Sequence, residues 1–167
     1  MAITLGKYRI SESPPLSYKI DRLSYDDFTK SAEDFLLEHF RGAVEIESKI
    51  EHMGIVAVSP FGFAHLLRQV LIYIFGKSLL KIEFLSKEFG LCSTLVWKTD
   101  KELPESFRNE LSSIASRSGF EIDISSCDGI AKIDLDFKVE EASYLSIYAN
   151  NSRRAFYAFN QVFFLEF

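Results

Sequence analysis

The chain has 167 residues, of which 47% are hydrophobic and 26% are charged, proportions that exclude a disordered or low-complexity protein. Its formal net charge of −5 argues against a nucleic-acid partner, because phosphate backbones are bound by basic surfaces. The two cysteines, Cys92 and Cys127, are too few for a disulfide framework or a four-ligand zinc site, and we expect no metal and no cofactor.

The length is that of one ordinary domain, and we interpret residues 1–167 as a single domain. The longest apolar stretches are too short to cross a bilayer, so we expect no membrane contact. The first ten residues lack the apolar core and the small-residue cleavage site of a secretion signal. The sequence therefore predicts a cytoplasmic protein.

The hydrophobic pattern predicts alternating helices and strands. In chain order they are a loop or short pairing strand over residues 1–18, a helix beginning at Ser24 and ending near Gly42, strands at 44–47 and 54–58, a helix over 61–75, strands near 80–84 and 91–97 joined by a turn at 87–90, a helix from Pro104 to Gly119, strands at 120–124 and 130–139, a strand at 144–148 and a final segment over 152–167.

Cap residues support the three central helices. Ser24 is an N-cap with Asp27 three residues later, and Ser59 is an N-cap followed directly by Pro60, a residue favoured in the first helical turn. Gly119 is typical of the left-handed residue that ends a helix. These boundaries therefore depend on local chemistry as well as on hydrophobic periodicity.

The aromatic tail, residues 152–167, fits a helix or a strand, and we favour the helix. In a helix, Phe156, Phe159, Phe163 and Phe167 form one stripe. The stripe either packs on the chain's own sheet or forms an exposed patch for a protein partner or a second copy of the chain.

The order of elements and several short segments resemble the ATP-binding domain of sensor histidine kinases, the Bergerat fold of the GHKL superfamily. Residues 56–59 followed by 67–72 resemble the strand and the "LRQVLxNLLxNA" helix of that family. Residues 103–105 resemble its "IPxE" segment, and residues 118–133 resemble its closing glycine-containing hairpin.

This resemblance covers roughly residues 18–139 and leaves residues 140–167 as a C-terminal extension. It implies an α+β fold, a two-layer sandwich in which a mixed, mainly antiparallel sheet carries about three helices on one face. It also implies a place in bacterial signal transduction.

The nucleotide-binding residues that the resemblance implies are largely missing. The family's two asparagines, the first of which binds magnesium, correspond to Tyr73 and Lys77, and a tyrosine lacks the amide oxygen that Mg²⁺ accepts. The Asp-x-Gly-x-Gly segment that binds adenine corresponds to residues 98–102, where Lys98 replaces the aspartate. In the register that makes Asp100 the adenine residue, no glycine follows. ATP binding is therefore not expected.

The spacing of four side chains also predicts one ridge on the apolar helix. His65, Gln69, Tyr73 and Lys77 follow an i, i+4 spacing on the apolar helix, and Lys98 and Asp100 follow the facing strand. This set is interpreted either as a remodelled pocket for another ligand or as a closed site, in which Tyr73 fills the vacated space and the ends of the ridge are solvated.

Three functions remain open. The first, which we favour, is a non-catalytic, degenerate histidine-kinase ATPase-like domain that acts by protein interaction or self-association. The second is a small-molecule or nucleotide-binding module that uses the remodelled pocket. The third, an active ATPase or kinase, is disfavoured because no catalytic residues are identified.

Overall fold

The structure is a computed structural model that describes residues 2–5, 8–11, 18–140 and 152–164. Its elements are β1 (Ala2–Leu5), β2 (Tyr8–Ser11), β3 (Asp21–Ser24), α1 (Tyr25–His39), β4 (Val44–Lys49), β5 (Ile55–Val58), α2 (Pro60–Ile74), β6 (Leu80–Lys87), β7 (Gly90–Lys98), α3 (Glu105–Ser118), β8 (Phe120–Cys127), β9 (Ile130–Glu140) and α4 (Ser152–Phe163).

Seven of the strands form one mixed sheet. Six lie in the order β3-β5-β9-β7-β6-β4, and β8 also pairs with β9. Only β4 and β6 pair in parallel, and every other pair in this sheet is antiparallel. Strands β1 and β2 form a separate antiparallel pair.

Side chains of the central strands alternate between two faces of the sheet. In β9, Ala131, Ile133, Leu135 and Phe137 are buried, whereas Lys132 and Asp136 between them are exposed. Strand β7 follows the same rule, with Leu91, Leu95 and Trp97 buried. The helices therefore pack on one face, and the opposite face carries charged side chains.

The helix boundaries follow the caps found in the sequence. The Asp27 backbone N–H donates to the Ser24 Oγ at 3.1 Å, and the Gly62 N–H donates to the Ser59 Oγ at 3.1 Å. Gly119 ends α3 with φ 85°, in the left-handed region that favours glycine.

Helices α2 and α3 approach closely near the start of α2. A Cβ placed on Gly62 would lie 1.7 Å from the Ser118 Oγ, a distance that no real contact allows. Ser118 is fully buried and donates its hydroxyl to the Ile114 carbonyl at 2.5 Å. The absence of a side chain at Gly62 therefore sets how close the two helices lie.

Aromatic rings fill the centre of the core between the helices and the sheet. The Phe63 ring centroid lies 5.0 Å from that of Phe28 and 5.5 Å from that of Phe137. Phe28 and Phe63 are both fully buried. Tilted and edge-on pairs of this kind add to the free energy gained by burial.

The aromatic tail is a helix, α4, and it packs against α1 and α2. Phe159 is fully buried, and its ring lies 5.3 Å from the Phe35 ring and 6.0 Å from the Phe63 ring. Phe156 and Phe163 are partly buried against the same core. Helix α4 thus completes the core on the side formed by α1.

The α+β fold expected from the sequence is confirmed: three helices, α1, α2 and α3, precede the C-terminal segment, which is a helix as we favoured. Several boundaries differ from the prediction: α1 ends at His39 rather than near Gly42, and strands β4, β6 and β8 extend to Lys49, Lys87 and Cys127. Strand β3 was not expected. The predicted strand at 144–148 and the last tail aromatic, Phe167, lie outside the described residues. Within the described ranges, no helix is both long and apolar enough to cross a membrane.

Candidate ligand cleft

An open cleft of about 600 Å³ lies where the C-terminal end of α2 meets the C-terminal end of β7. We call it the α2–β7 cleft. Its lining residues are Tyr73, Ile74, Lys77, Ser78, Trp97, Lys98, Thr99, Asp100 and Lys101. A volume of this size is within the usual range of small-molecule sites.

A left-handed glycine places Lys77 at the cleft. Helix α2 ends at Ile74, and Gly76 has φ 70°, a conformation that side-chain-bearing residues rarely adopt. The Lys77 N–H donates to the Ile74 carbonyl at 2.9 Å. The chain therefore turns within three residues and leaves the exposed Lys77 on the cleft wall.

Hydrogen bonds fix the opposite wall, residues 98–101. The Lys98 N–H donates to the Ser78 Oγ at 3.1 Å, which ties this wall to the segment after α2. The Thr99 N–H donates to the Gly129 carbonyl at 2.9 Å, and the Thr99 hydroxyl donates to the Lys101 carbonyl at 2.9 Å. The lysines thus lie on a loop whose backbone is held at both ends.

Tyr73 forms part of the cleft wall. Its ring stacks on Phe107 of α3, with centroids 4.3 Å apart and an interplanar angle of 16°. The side chain is only partly buried, and the cleft stays open beside it. The interpretation of a site closed by Tyr73 therefore needs correction: the ring is only partly buried and lines an open cleft.

The charge in the cleft is mainly positive. Lys77, Lys98 and Lys101 face one carboxylate, Asp100, and all four residues are exposed. None of the three lysines forms an ion pair with another residue in the part of the chain that the structure describes. The cleft is a local cationic site on a chain of net charge −5.

Trp97 is the only tryptophan of the chain and forms part of the cleft wall. It is 2% exposed, and its buried Nε1 has no hydrogen-bond partner among the described residues. A buried indole N–H normally finds an acceptor, because leaving it unpaired costs free energy.

His65 and Gln69 lie on α2 but do not line the cleft. His65 Nδ1 shares a hydrogen bond with the Tyr18 hydroxyl, and the Gln69 amide donates to the Glu110 carboxylate of α3 at 2.5 Å. Burial lowers the pKa of His65 below its ordinary value, and nearby Arg68 lowers it further. The predicted ridge is therefore divided, and only Tyr73 and Lys77 join Lys98 and Asp100 in the cleft.

Five residues that line the cleft were not among the site candidates of the sequence: Ile74, Ser78, Trp97, Thr99 and Lys101. Of these, Lys101 could have been identified, because it is a second lysine close to Lys98 in the same loop. No group of three or more His, Cys, Asp or Glu side chains is placed to hold a metal ion in the described part of the chain. The chemistry that the cleft offers is cation-assisted binding of an anion.

Of the tail aromatics expected as interface candidates, Phe156 and Phe163 are partly buried against the core, and Phe167 lies outside the described residues. Phe159 is fully buried within its own chain, so its ring is not accessible to a partner in this conformation. The exposed aromatic residues of α4 and its end are instead Tyr157, 59% exposed, and Phe164, 43% exposed.

Solved structures of histidine kinases share this fold. The Acinetobacter baumannii histidine kinase AdeS superposes with a TM-score of 0.55 at 11% identity, over 74% of this chain and 70% of that one. The catalytic domain of histidine kinase ThkA gives 0.53 at 9% identity, over 74% and 99%. The histidine kinase domain of the E. coli osmosensor EnvZ gives 0.54 at 6% identity, over 78% and 94%.

Neither a protein-family model nor a curated protein sequence matches the chain. The superpositions show that the chain has the fold of histidine kinase ATP-binding domains. The expectation drawn from its short segments is thus confirmed at the level of fold.

Proposed function

We propose that this protein is a non-catalytic, degenerate histidine-kinase ATPase-like domain that acts by protein interaction in cytoplasmic bacterial signalling. The observation that carries this proposal is the chemistry of the α2–β7 cleft. Tyr73 and Lys77 stand where the resemblance places the two asparagines of the family, and both line the cleft. Lys98 lies on the facing loop, where the resemblance places the adenine-binding aspartate.

These replacements oppose Mg·ATP binding for physical reasons. Mg²⁺ requires hard oxygen ligands in near-octahedral geometry, and the phenol ring of Tyr73 stacks on Phe107 rather than offering such an oxygen. The Lys77 ammonium would repel the metal ion. Lys98 has a hydrogen-bond donor where recognition of the adenine amino group needs an acceptor.

A thermal shift measurement tests the loss of nucleotide binding. A ligand present at one hundred times its Kd stabilises the folded state by about 2.7 kcal/mol, which for a chain of this size raises Tm by roughly 5–11 °C. We expect about 1 mM Mg·ATP, one hundred times a Kd of about 10 μM, to leave Tm unchanged. An active histidine kinase ATP-binding domain, measured in the same buffer, is the positive control.

Exposed apolar side chains at the end of α2 support a protein partner or a second copy of the chain. Ile72 and Phe75 are 56% and 82% exposed, and their i, i+3 spacing puts them side by side at the end of α2. Adjacent exposed apolar residues of this kind are typical of interaction sites.

Light scattering across a concentration series tests this surface. If the chain self-associates through the end of α2, Phe75→Glu lowers the average mass. The matched control is Phe89→Glu, because Phe89 is equally exposed, at 87%, but lies in the β6–β7 turn. A wild-type protein that is monomeric at every concentration contradicts self-association.

The second candidate function is a ligand-binding module. The observation that favours it is that the α2–β7 cleft remains open. This candidate does not exclude the first, since a domain without ATPase activity can still bind a different ligand in the same place.

A further inference from the structure

We propose that the α2–β7 cleft binds a small phosphate-bearing organic anion without a divalent metal ion. This inference rests on the proposed function in one respect, because it requires that the cleft no longer bind Mg·ATP. It goes beyond that function by naming the chemical class of the ligand and the residues that recognise it.

The charge of the cleft selects an anion. Lys77 approaches from the segment after α2, and Lys98 and Lys101 approach from the loop after β7. Since none of them has an ion-pair partner within the described ranges, their charges are available to a ligand. Three ammonium groups against the single carboxylate of Asp100 leave a net charge that suits a doubly charged phosphate group better than a monoanion.

A metal ion is not needed for this recognition. In phosphate sites that use Mg²⁺, the ion neutralises the phosphate charge and is held by carboxylate or amide oxygens. Here the lysines supply the positive charge directly, and they would repel a cation. Magnesium is therefore expected to weaken binding, because it competes with the lysines for the phosphate.

The uncharged wall of the cleft suits an apolar group attached to the phosphate. Tyr73, Ile74 and Trp97 form this wall. Trp97 and Ile74 are 2% and 3% exposed, so the partly buried Tyr73 ring presents most of this wall to a ligand. Aromatic and aliphatic side chains with a few polar groups are the usual lining of small-molecule sites.

The backbone that carries the three lysines is held in place before a ligand arrives. Gly76 fixes the turn that carries Lys77, and the Thr99 hydrogen bonds fix the loop that carries Lys98 and Lys101. The Lys98–Ser78 hydrogen bond joins the two walls. Preorganisation of this kind reduces the entropy lost on binding.

The fluorescence of Trp97 provides the measurement, because the chain has no other tryptophan. The probes are inorganic pyrophosphate, which tests the charge alone, and phenyl phosphate, which adds an aromatic group. We expect a saturable change in emission with both probes in EDTA. Binding should weaken in high salt, because salt screens these exposed charges.

Three variants localise the site. We expect the double variant Lys77→Gln/Lys101→Gln to raise the Kd for pyrophosphate by about tenfold or more. Each substitution removes a charged hydrogen-bond donor to the phosphate oxygens. Asp100→Asn should lower the Kd, because it removes a repelling charge. The matched control is Lys81→Gln combined with Lys138→Gln, which removes two exposed lysines that do not line the cleft.

The outcomes separate this proposal from the proposed function. Saturable binding that is lost in the cleft variant and kept in the control supports the proposal. No saturable change below about 1 mM of either probe, or equal weakening in the control, overturns it and leaves the proposed loss of Mg·ATP binding unaffected. Binding of ATP that is strengthened by magnesium overturns both.

Discussion

At the scale of single residues, Tyr73 takes part in both a packing contact and the cleft wall. Its large ring lies near the end of α2 and stacks on Phe107 of α3. The ring therefore contributes to the contact between α2 and α3 while its edge still forms the wall of the cleft.

Tyr73→Ala should destabilise the protein by about 2 kcal/mol. This is less than the loss of a fully buried aromatic residue, because the side chain is only partly buried, but it includes the stacking contribution. Thermal or urea unfolding measures the change, with Tyr73→Phe as the control that keeps the ring. A Tyr73→Ala protein as stable as the wild type would show that the stack contributes nothing.

His65 makes the stability depend on pH. Burial lowers the pKa of His65, followed by the effect of Arg68, while Glu110 opposes and Arg117 supports the lowering. The unfolded chain then binds a proton at His65 more readily than the folded chain does. The contribution of a neutral His65 to stability is therefore fully present above the unfolded pKa of about 6.5. This contribution is lost as the pH falls from that value toward the lower pKa of the folded state.

We expect His65→Gln to reduce the loss of Tm between about pH 7.5 and pH 5.5, because the substituted protein no longer carries this proton linkage. His52→Gln is the control, as His52 is exposed. An identical pH dependence in the His65 variant and the wild type would contradict the account of His65.

At the scale of elements, Gly62 determines how α2 packs on α3. Alanine normally stabilises a helix relative to glycine by about 1 kcal/mol. At Gly62, however, a Cβ would overlap the Ser118 Oγ, and we expect Gly62→Ala to destabilise the protein by about 1–3 kcal/mol. The double variant Gly62→Ala/Ser118→Gly removes the overlap and should recover part of the loss in denaturant unfolding. A stabilised single variant would be inconsistent with the observed contact.

Helix α4 is expected to be required for folding. Phe159 fills the space between Phe35 and Phe63, and Phe159→Ala should cost about 3–5 kcal/mol. Tyr157→Ala on the exposed face of the same helix is the control and should change stability by less than about 0.5 kcal/mol. Removal of residues 152–167 should give an insoluble or unfolded protein. A soluble truncated chain with an unchanged Tm would show that α4 is dispensable.

Some elements could be predicted from the sequence and others could not. Helices α1, α2 and α3 could be predicted because Ser24, Ser59 and Gly119 mark their ends and their apolar positions repeat with helical spacing. Strand β3 could not, because a four-residue strand with Leu23 as its one buried residue has no periodicity to detect. Its conformation depends on pairing with β5.

The cleft could be predicted only in part, for a similar reason. The i, i+4 spacing correctly placed His65, Gln69 and Tyr73 on α2, whereas Lys77 lies beyond the end of that helix. The spacing could not show that Tyr18 binds His65 and that Glu110 binds Gln69. Those contacts come from segments far away in sequence. Tertiary packing, rather than the pattern on the helix, determines which residues remain available to a ligand.

At the scale of the whole molecule, the chain keeps the fold of histidine kinase ATP-binding domains at 6–11% identity to the structures compared. The sheet, the helices and the aromatic core preserve a cleft at the end of α2. The side chains around that cleft are lysines and aromatic residues rather than the metal and adenine ligands that the resemblance implies. The function that we propose depends on this difference between the side chains of the cleft and the ligands that the resemblance implies.

Isothermal titration of the full chain with Mg·ATP tests this central claim most directly. The account predicts no binding tighter than a Kd of about 10 μM, which corresponds to roughly −7 kcal/mol. A one-to-one complex with a Kd below that value, weakened when EDTA removes the magnesium, would contradict it, because it would show that Tyr73, Lys77 and Lys98 still permit the metal–nucleotide complex to bind.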